Sequence, residues 1–382
     1  MGNDIVGEGA GDYSGWSTAL SSDGTVLAVG GQRNDGGGRS AGHVRVYINM
    51  GGGGWTQLGE DLEGARFDEF GWSVSLSADG MILAVGAWLA SRSNRVASGV
   101  VSTYGWNGNV WEARGSPIEG QADRDNFRFS VALSNDGLVL AAGANRNDGA
   151  GEDAGHVRVF GWIDGDWSQL GSALEGASPG DRFGHAVALS SDGLILAVSA
   201  NRWLTGIPGY VATYVWIDGA WIPRGNTLNG FAASDQAGVS VSLSGNGLVL
   251  AIGAGGRNFC EVYQYDGMDW SQIGQTINIA SVGHLARFGF SVALSYSGDT
   301  VVVGAPSYEA NGSVIGLVQV HRLTSHRERW VLVGQGLVGK SANDSFGVAV
   351  SVSHDGSRLA VGAHQWQSPG NPPGYVQVYD LI

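Results

Sequence analysis

Ser73-Val74-Ser75-Leu76-Ser77-Ala78-Asp79-Gly80-Met81-Ile82-Leu83-Ala84-Val85-Gly86-Ala87 is the stretch whose reading decides the fold. Polar and apolar residues alternate before the Asp-Gly, and an apolar run follows it. Both residues of that dipeptide tolerate positive φ, so the segment predicts two antiparallel strands, A and B, joined by a tight hairpin. The same Ser-x-Asp-Gly turn recurs at Asp23, Asp136, Asp192 and Asp355, with degenerate copies at Asn246-Gly247 and Ser297-Gly298. Successive turns lie 56, 57, 56, 54, 51 and 58 residues apart, which makes seven repeats.

Working outward from the hairpin, strand C is typified by Gly42-His43-Val44-Arg45-Val46-Tyr47 and Gly155-His156-Val157-Arg158-Val159-Phe160. Strand D opens with a tryptophan, at Trp55, Trp111, Trp167, Trp221, Trp270 and Trp330. Four antiparallel strands per repeat make one propeller blade. A linker from D to the next A runs Gly59-Glu60-Asp61-Leu62-Glu63-Gly64 and ends in Asp68-Glu69-Phe70-Gly71; its acid recurs at Asp125, Asp181, Asp235 and Asp344. The expectation is an all-β, seven-bladed β-propeller of four-stranded antiparallel blades occupying residues 1–382 as one domain. The seventh repeat lacks its tryptophan, and Gly2-Asn3-Asp4-Ile5-Val6-Gly7 aligns with Gly59 to Gly64, as Asp12 does with Asp68. The N-terminal segment is therefore expected to close the ring by pairing with the last blade and covering its edge. Met1 falls inside that blade's strand D, as expected of a piece of a longer repeat protein.

Composition narrows the partners. Sixty-five glycines among 382 residues suit many tight turns, and 43% hydrophobic residues suffice for a core. No segment shows a 3.6-residue apolar period, so almost no helix is expected. A net charge of −14 argues against nucleic acid and anionic membrane as partners, since both need a cationic surface. Lys340 is the one lysine, leaving twenty arginines, the side chain suited to bidentate contact with carboxylate, sulfate or phosphate. Cys260 stands alone, so no internal disulfide forms. There is no apolar run of about 18 residues and no export signal in the chain as given, and Val6 stands where a myristoylation site wants Ser or Thr.

Phe-Gly before strand A, the Asp-Gly turn, and Gly-Ala-Pro after strand B, clearest from Phe288-Gly289 to Gly304-Ala305-Pro306, resemble the FG-GAP repeat of integrin α-chain propellers. The fuller pattern, Trp-x-Gln-Leu/Ile-Gly, Asp-x-Phe-Gly and Ser-Val-Ala-Leu-Ser-x-Asp-Gly, is similar to repeats of large secreted or surface proteins in bacteria and microalgae. The resemblance covers the whole chain. It implies a propeller and an extracellular or cell-surface setting. FG-GAP blades often carry a calcium loop at the A–B turn, but here that turn keeps one carboxylate, too few for the six to eight oxygens calcium takes. The sialidase Asp-box wants an aromatic soon after its glycine, whereas Thr25-Val26-Leu27 follows Gly24.

Several apparent motifs dissolve into the repeat. Gly334-Gln335-Gly336-Leu337-Val338-Gly339-Lys340-Ser341 satisfies the P-loop pattern, yet Gly334 and Gly339 align with Gly59 and Gly64, and no helix is expected after Ser341. The Asp of Asp-x-Phe-Gly recurs in nearly every repeat, as a turn-capping residue does and a catalytic carboxylate does not. His43 and His156 share one repeat position. No metalloprotease, nucleophile-elbow or catalytic-cysteine pattern is present, so no catalytic residue is assigned.

The B–C loops vary most, and in a propeller they share one face with the D–A linkers. Four carry an arginine shortly after strand B: Arg33, Arg146, Arg202 and Arg257. Asn34, Asp35, Asn147, Asp148, Trp203, Asn258, Tyr308, His364 and Trp366 lie near them in sequence. This mixture suits an acidic sugar or a peptide carboxylate; alternatively, each arginine pairs with an aspartate of its own blade. Asp148, Glu152 and Asp153 form a weak calcium candidate, and no other cofactor is expected. Asn311-Gly312-Ser313 and Asn343-Asp344-Ser345 fit the N-glycosylation pattern, relevant only in a secretory eukaryote. The functional expectation is a non-catalytic recognition or scaffold propeller binding a glycan or a protein through the B–C loop face. The alternatives are a polysaccharide lyase or hydrolase with its site in the central funnel, and a purely structural module of a larger assembly.

Overall fold

The computed structural model describes residues 4–51, 54–91, 96–202, 205–279, 286–310, 312–365 and 372–381. They form seven antiparallel sheets, the four-stranded blades of a propeller, six of which carry a short fifth strand from the linker. In blade 1, strands A to D are Ser14–Leu20, Val26–Gly31, His43–Ile48 and Thr56–Gln57; in blade 2 they are Phe70–Leu76, Ile82–Ala87, Val100–Trp106 and Trp111–Ala113. The one helical element among the described residues is a 3₁₀ turn at Ala233–Asp235. In blade 7 the sheet is Ala349–Val352, Arg358–Ala363 and Tyr375–Asp380, edged by Ile5–Val6. Ile5 lies opposite Val376 and Val6 opposite Tyr375, the register that Leu62 and Glu63 of the first linker take against Val44 and His43.

The A–B turn explains its own motif. In five blades the serine hydroxyl donates to the aspartate Oδ1 two residues on, at 2.5–2.7 Å. That oxygen then accepts from the amide two residues further, as Asp23 Oδ1 does from Thr25 N–H at 2.9 Å. Asn246 fills the same place from Ser244 at 2.8 Å, whereas in blade 6 the hydroxyl of Ser295 reaches Asp299 instead, at 3.0 Å.

The variable residue of that turn ties the blades together. Ser22 N–H donates to Ala78 O, Ala78 to Asn135, Asn135 to Ser191, Ser191 to Gly245, Gly245 to Tyr296, Tyr296 to His354, and His354 back to Ser22, all at 2.7–2.9 Å. Seven backbone hydrogen bonds thus run head to tail around the channel. Each leaves a turn amide satisfied that would otherwise face the crowded axis.

The two glycines of the repeat meet across blades. A Cβ on Gly253, near the end of strand B in blade 5, would lie 2.0 Å from the carbonyl oxygen of Gly289 in the Phe-Gly of blade 6. The same approach recurs for Gly30 on Gly71, Gly143 on Gly184, Gly304 on Gly347 and Gly362 on Gly15, so blade 7 packs on blade 1 as the others pack on each other. Serine hydroxyls of strand A seal the contact: Ser240 Oγ donates to Gly289 O at 2.9 Å.

The apolar clusters lie between blades. Strand B is buried on both sides, which is why it reads as a continuous apolar run and not an alternating one. Leu27, Leu83, Leu140, Leu196, Leu250 and Leu359 are wholly buried, each side chain contributing about 2 kcal/mol. Leu27 and Val29 of blade 1 share a cluster with Ala360 and Val376 of blade 7 and with Ile5. The strand-D tryptophans pack across blade boundaries: the indole N–H of Trp111, Trp221 and Trp330 donates to the carbonyl of Leu58, Leu170 and Ile273 of the preceding blade.

Candidate functional site

Asp-x-Phe-Gly positions the site. Its aspartate accepts linker amides: Asp125 Oδ2 takes Gln121 and Ala122 N–H, Asp181 takes Ala177 and Ser178, and Asp344 takes Lys340 and Ser341. The last pair is the end of the P-loop-like sequence, whose amides are therefore already engaged. The residue after the aspartate adopts the left-handed conformation in every blade, with Ala286 standing in place of the aspartate in blade 6: Tyr13, Glu69, Asn126, Arg182, Gln236, Arg287 and Ser345 have φ of 58°, 49°, 50°, 55°, 52°, 59° and 49°. Such a conformation costs a non-glycine residue about 1 kcal/mol or more and persists because the capped linker imposes it. The phenylalanine that follows is buried, as Phe127, Phe183, Phe288 and Phe346 show.

This geometry places three kinds of side chain around a cavity of about 420 Å³ at the channel mouth. The left-handed residues supply Asn126, Arg182, Gln236 and Arg287; the residue after Phe-Gly, or its equivalent, supplies Trp16, Trp72, His185, Val239 and Phe290; the segment after strand B supplies Trp88, Asn145, Arg146 and Asn201. The wall is strongly uneven. Trp16 and Trp72 have ring centroids 5.0 Å apart and Trp72 and Trp88 4.5 Å, which makes a continuous aromatic surface on blades 1 and 2. His364 meets Trp16 and Tyr13 edge-on at 5.1 and 5.0 Å.

Blades 3, 4 and 6 contribute Arg146, Arg182 and Arg287 to the same cavity. Arg182 pairs with Asp153 at 3.1 Å. Arg287 lies over the Phe290 ring at 4.5 Å, and burial alone lowers its pKa, with no carboxylate opposing that shift. Among the described residues neither Arg146 nor Arg287 forms an ion pair, and no carboxylate lines the cavity. Burial, then the charge of Arg182, pushes His185 down to about 3, so its ring is neutral at physiological pH. The carboxamide oxygens of Asn145 and Asn201, residues 4% and 5% exposed, are buried without a hydrogen-bond partner.

Of the residues selected from sequence, Arg146 reaches this cavity. Arg202 pairs with Asp181 at 2.7 Å and Arg257 with Asp235 at 2.9 Å, each the linker aspartate of its own blade. Arg33 lies over the Tyr13 ring at 4.9 Å and 3.9 Å from Glu69 of the next blade. Asn34 and Asn147 are buried, donating to Asp12 and Asp125 and accepting the amides of Gly36 and Gly149. Asp35 and Asp148 accept the amides of Ser40 and Asp153, so the loop with Glu152 repeats the turn of blade 1. Asn258 accepts Phe288 N–H, and the Tyr308 carbonyl accepts two amides of its own loop. Trp203 and Trp366 lie outside the described residues.

Sequence reasoning missed Trp16, Trp72, Trp88, Asn145, Arg182, Asn201 and Arg287. Their signal was available: the variable positions beside the recurring Phe-Gly, or its equivalent, and directly after strand B. A second three-residue cluster, Glu8, His43 and Asp61, brings ligand-type atoms within 4.8 Å, but the Arg45 guanidinium already bonds both carboxylates.

A family model described as FG-GAP repeat matches residues 61–104. That match spans one repeat, and the seven blades around it make the chain an FG-GAP-like propeller. No curated protein matches the chain. Among solved structures it is similar to the Myceliophteria thermophila Cps50 (Swd1) β-propeller domain, with TM-score 0.61 and 12% identity over 100% of this chain and 98% of that one. A putative 6-phosphogluconolactonase from Bacteroides uniformis aligns with TM-score 0.60 and 12% identity over 86% of each chain. The Pseudomonas aeruginosa periplasmic gluconolactonase PpgL aligns with TM-score 0.53 and 15% identity over 88% of this chain and 92% of that one. These likenesses speak to the fold. No helix among the described residues is long and apolar enough to cross a membrane.

Proposed function

We propose that this FG-GAP-like propeller is a non-catalytic recognition module of a secreted or surface protein. It binds a glycan or a protein through the B–C loop face, with the channel-mouth cavity as its focus and negative charge as the feature it selects. One observation carries the reading: in a chain of net charge −14, three arginines converge on one cavity, two of them with no ion pair among the described residues. Of these two, Arg287 is partly buried; a partly buried guanidinium without a counter-charge is costly, and an anionic ligand offsets that cost. A concave site with low-dielectric walls also concentrates its field on the incoming charge.

The cavity's chemistry supports binding over catalysis. A hydrolase needs a group that moves protons near the working pH. The titratable side chains on this wall are arginines and His185, the latter held near 3 by burial. Some of the structural neighbours are described as lactonases, and a shared fold leaves chemistry to the site.

A glycan array and a pull-down, each run with the wild-type chain and with an Arg146→Gln, Arg287→Gln double variant, test the reading. Retention of acidic ligands by the wild type, lost in the variant, is the expected result. No retained ligand, or equal retention by the variant, would overturn it.

A further inference from the structure

We propose that the outer edge of blade 7 accepts a strand from another polypeptide, and that its occupant is an extended segment of the form Trp-x-Gln-Leu/Ile-Gly. This edge lies on the rim of the propeller, apart from the channel-mouth cavity.

The other six blades define the occupant. In each, strand D pairs with the second half of strand C and the linker strand with the first half, as Gln57 lies opposite Tyr47 and Leu62 opposite Val44. In blade 7, Ile5–Val6 takes the linker position against Val376 and Tyr375. Among the described residues no strand pairs with residues 378–380 on their outer side. Such an edge offers its N–H and C=O groups to an extended chain, the mode of recognition by strand addition.

Side-chain packing adds the tryptophan. Trp55, Trp111, Trp167, Trp221, Trp270 and Trp330 each belong to, or pack against, the apolar cluster at one blade boundary. The cluster between blades 6 and 7, with Val320, Leu359 and Tyr379, contains no tryptophan among the described residues. The linker glycines show the same difference. A Cβ on Gly59, Gly115, Gly171, Gly225 or Gly274 would lie 2.7–3.0 Å from an aromatic ring of the next blade, whereas one on Gly334 would meet no described atom within 4 Å.

Blade 5 supplies the register. Tyr263 pairs with Leu250 there as Tyr379 pairs with Leu359 here, and Gln272 and Trp270 lie opposite Tyr263 and Tyr265. The occupant's glutamine therefore lies opposite Tyr379 and its tryptophan opposite Leu381. The residue after that glutamine donates its N–H to Val378 O, as Ile273 does to Val262 O at 2.9 Å. The indole N–H reaches the carbonyl of Val333, which stands where Ile273 receives Trp330. The six strand-D segments of the form Trp-x-x-x-Gly are each paired in their own blade. Neither this chain nor a second copy has one of them to donate, so the occupant is a different polypeptide.

A fluorescein-labelled synthetic peptide copying residues 165–172 reports binding to the full chain by fluorescence anisotropy. A saturable rise is expected, weakened about tenfold or more by alanine in place of the peptide's tryptophan. Leu381 N–H donates back to Ser357 O, so the alternation of the strand turns Asp380 N–H outward. Asp380→Pro removes that edge donor and leaves the inner pairing intact, so the variant should stay folded and bind about tenfold more weakly. In the wild type the peptide should also slow hydrogen exchange at Val378 and Asp380, a readout that needs no variant. No binding, equal binding of the alanine peptide, or no added protection at these amides would overturn the inference, as would undiminished binding by folded Asp380→Pro. A chain that dimerises through this edge and ignores the peptide would place a second copy there and overturn the assigned occupant.

Discussion

Thr213→Val isolates one hydrogen-bond relay between blades 4 and 5. Thr213 Oγ1 accepts the Trp270 indole N–H at 2.8 Å and donates to the Arg224 carbonyl at 2.5 Å. Both Thr213 and Trp270 are 4% exposed, so water cannot replace either partner. Valine keeps the volume and removes the hydroxyl, leaving one donor and one acceptor buried at about 1–3 kcal/mol each. Allowing for the apolar gain of a methyl group, the expected loss is about 2–4 kcal/mol.

The fold holds its own control for that prediction. Thr103 makes the same relay from Trp167 to Arg114, and these two positions are threonine where the following strand D carries an arginine. At three other boundaries, after Leu58, Leu170 and Ile273, the indole bonds the main-chain carbonyl directly. Adding Arg224→Leu to Thr213→Val converts the boundary to that second form and should recover at least half of the loss. Urea unfolding of the wild type and both variants gives the numbers. A loss below about 0.5 kcal/mol for Thr213→Val, or no recovery in the double variant, would refute the reasoning.

Three further outcomes follow from the fold. Gly253→Ala places a Cβ 2.0 Å from the Gly289 carbonyl, a backbone clash expected to cost about 3 kcal/mol or more and to show as a lowered melting temperature; an unchanged melting temperature would refute the close approach. His43 and His156 are pushed down to about 4, chiefly by burial and then by Arg45 and Arg158 respectively. They stay neutral in the folded chain while the unfolded chain takes up protons below about 6.5, so stability is complete above that pH and falls toward pH 4, by on the order of 2 kcal/mol per histidine at pH 5. A His156→Asn variant should show a shallower decline of melting temperature over that window. Removing residues 1–7 deletes the Ile5–Val6 edge and the Asp4 contacts with Lys340 and Gln377, and should expose blade 7 to faster hydrogen exchange than blade 4. Equal protection would show that the segment does not close the ring.

The blades were legible because the repeat encodes them locally. Asp79-Gly80 marks a hairpin, and Met81 to Ala87 reads as a strand covered on both sides. The reason for the glycines was not legible, since Gly253 meets Gly289 only after two blades have packed. The ring of hydrogen bonds through Ser22, Ala78 and His354 was hidden for a further reason: its donors and acceptors are backbone, and the side chains at that position vary freely. The site was read halfway. Arginines after strand B drew attention, but Arg202 and Arg257 satisfy linker aspartates some twenty residues earlier in the chain, a pairing that sequence spacing leaves open. The proposed site draws instead on positions that look like repeat noise, Trp72 beside Gly71 and Arg287 before Phe288. Their inward aim depends on a left-handed backbone at the neighbouring linker residue in all seven blades.

A crystal structure of the chain soaked with an acidic ligand retained on the glycan array tests the central claim most directly. The account predicts electron density for that ligand in the channel-mouth cavity, its negative group on Arg287 or Arg146. An empty cavity at saturating ligand, or a ligand bound at the outer rim with both arginines untouched, would contradict it.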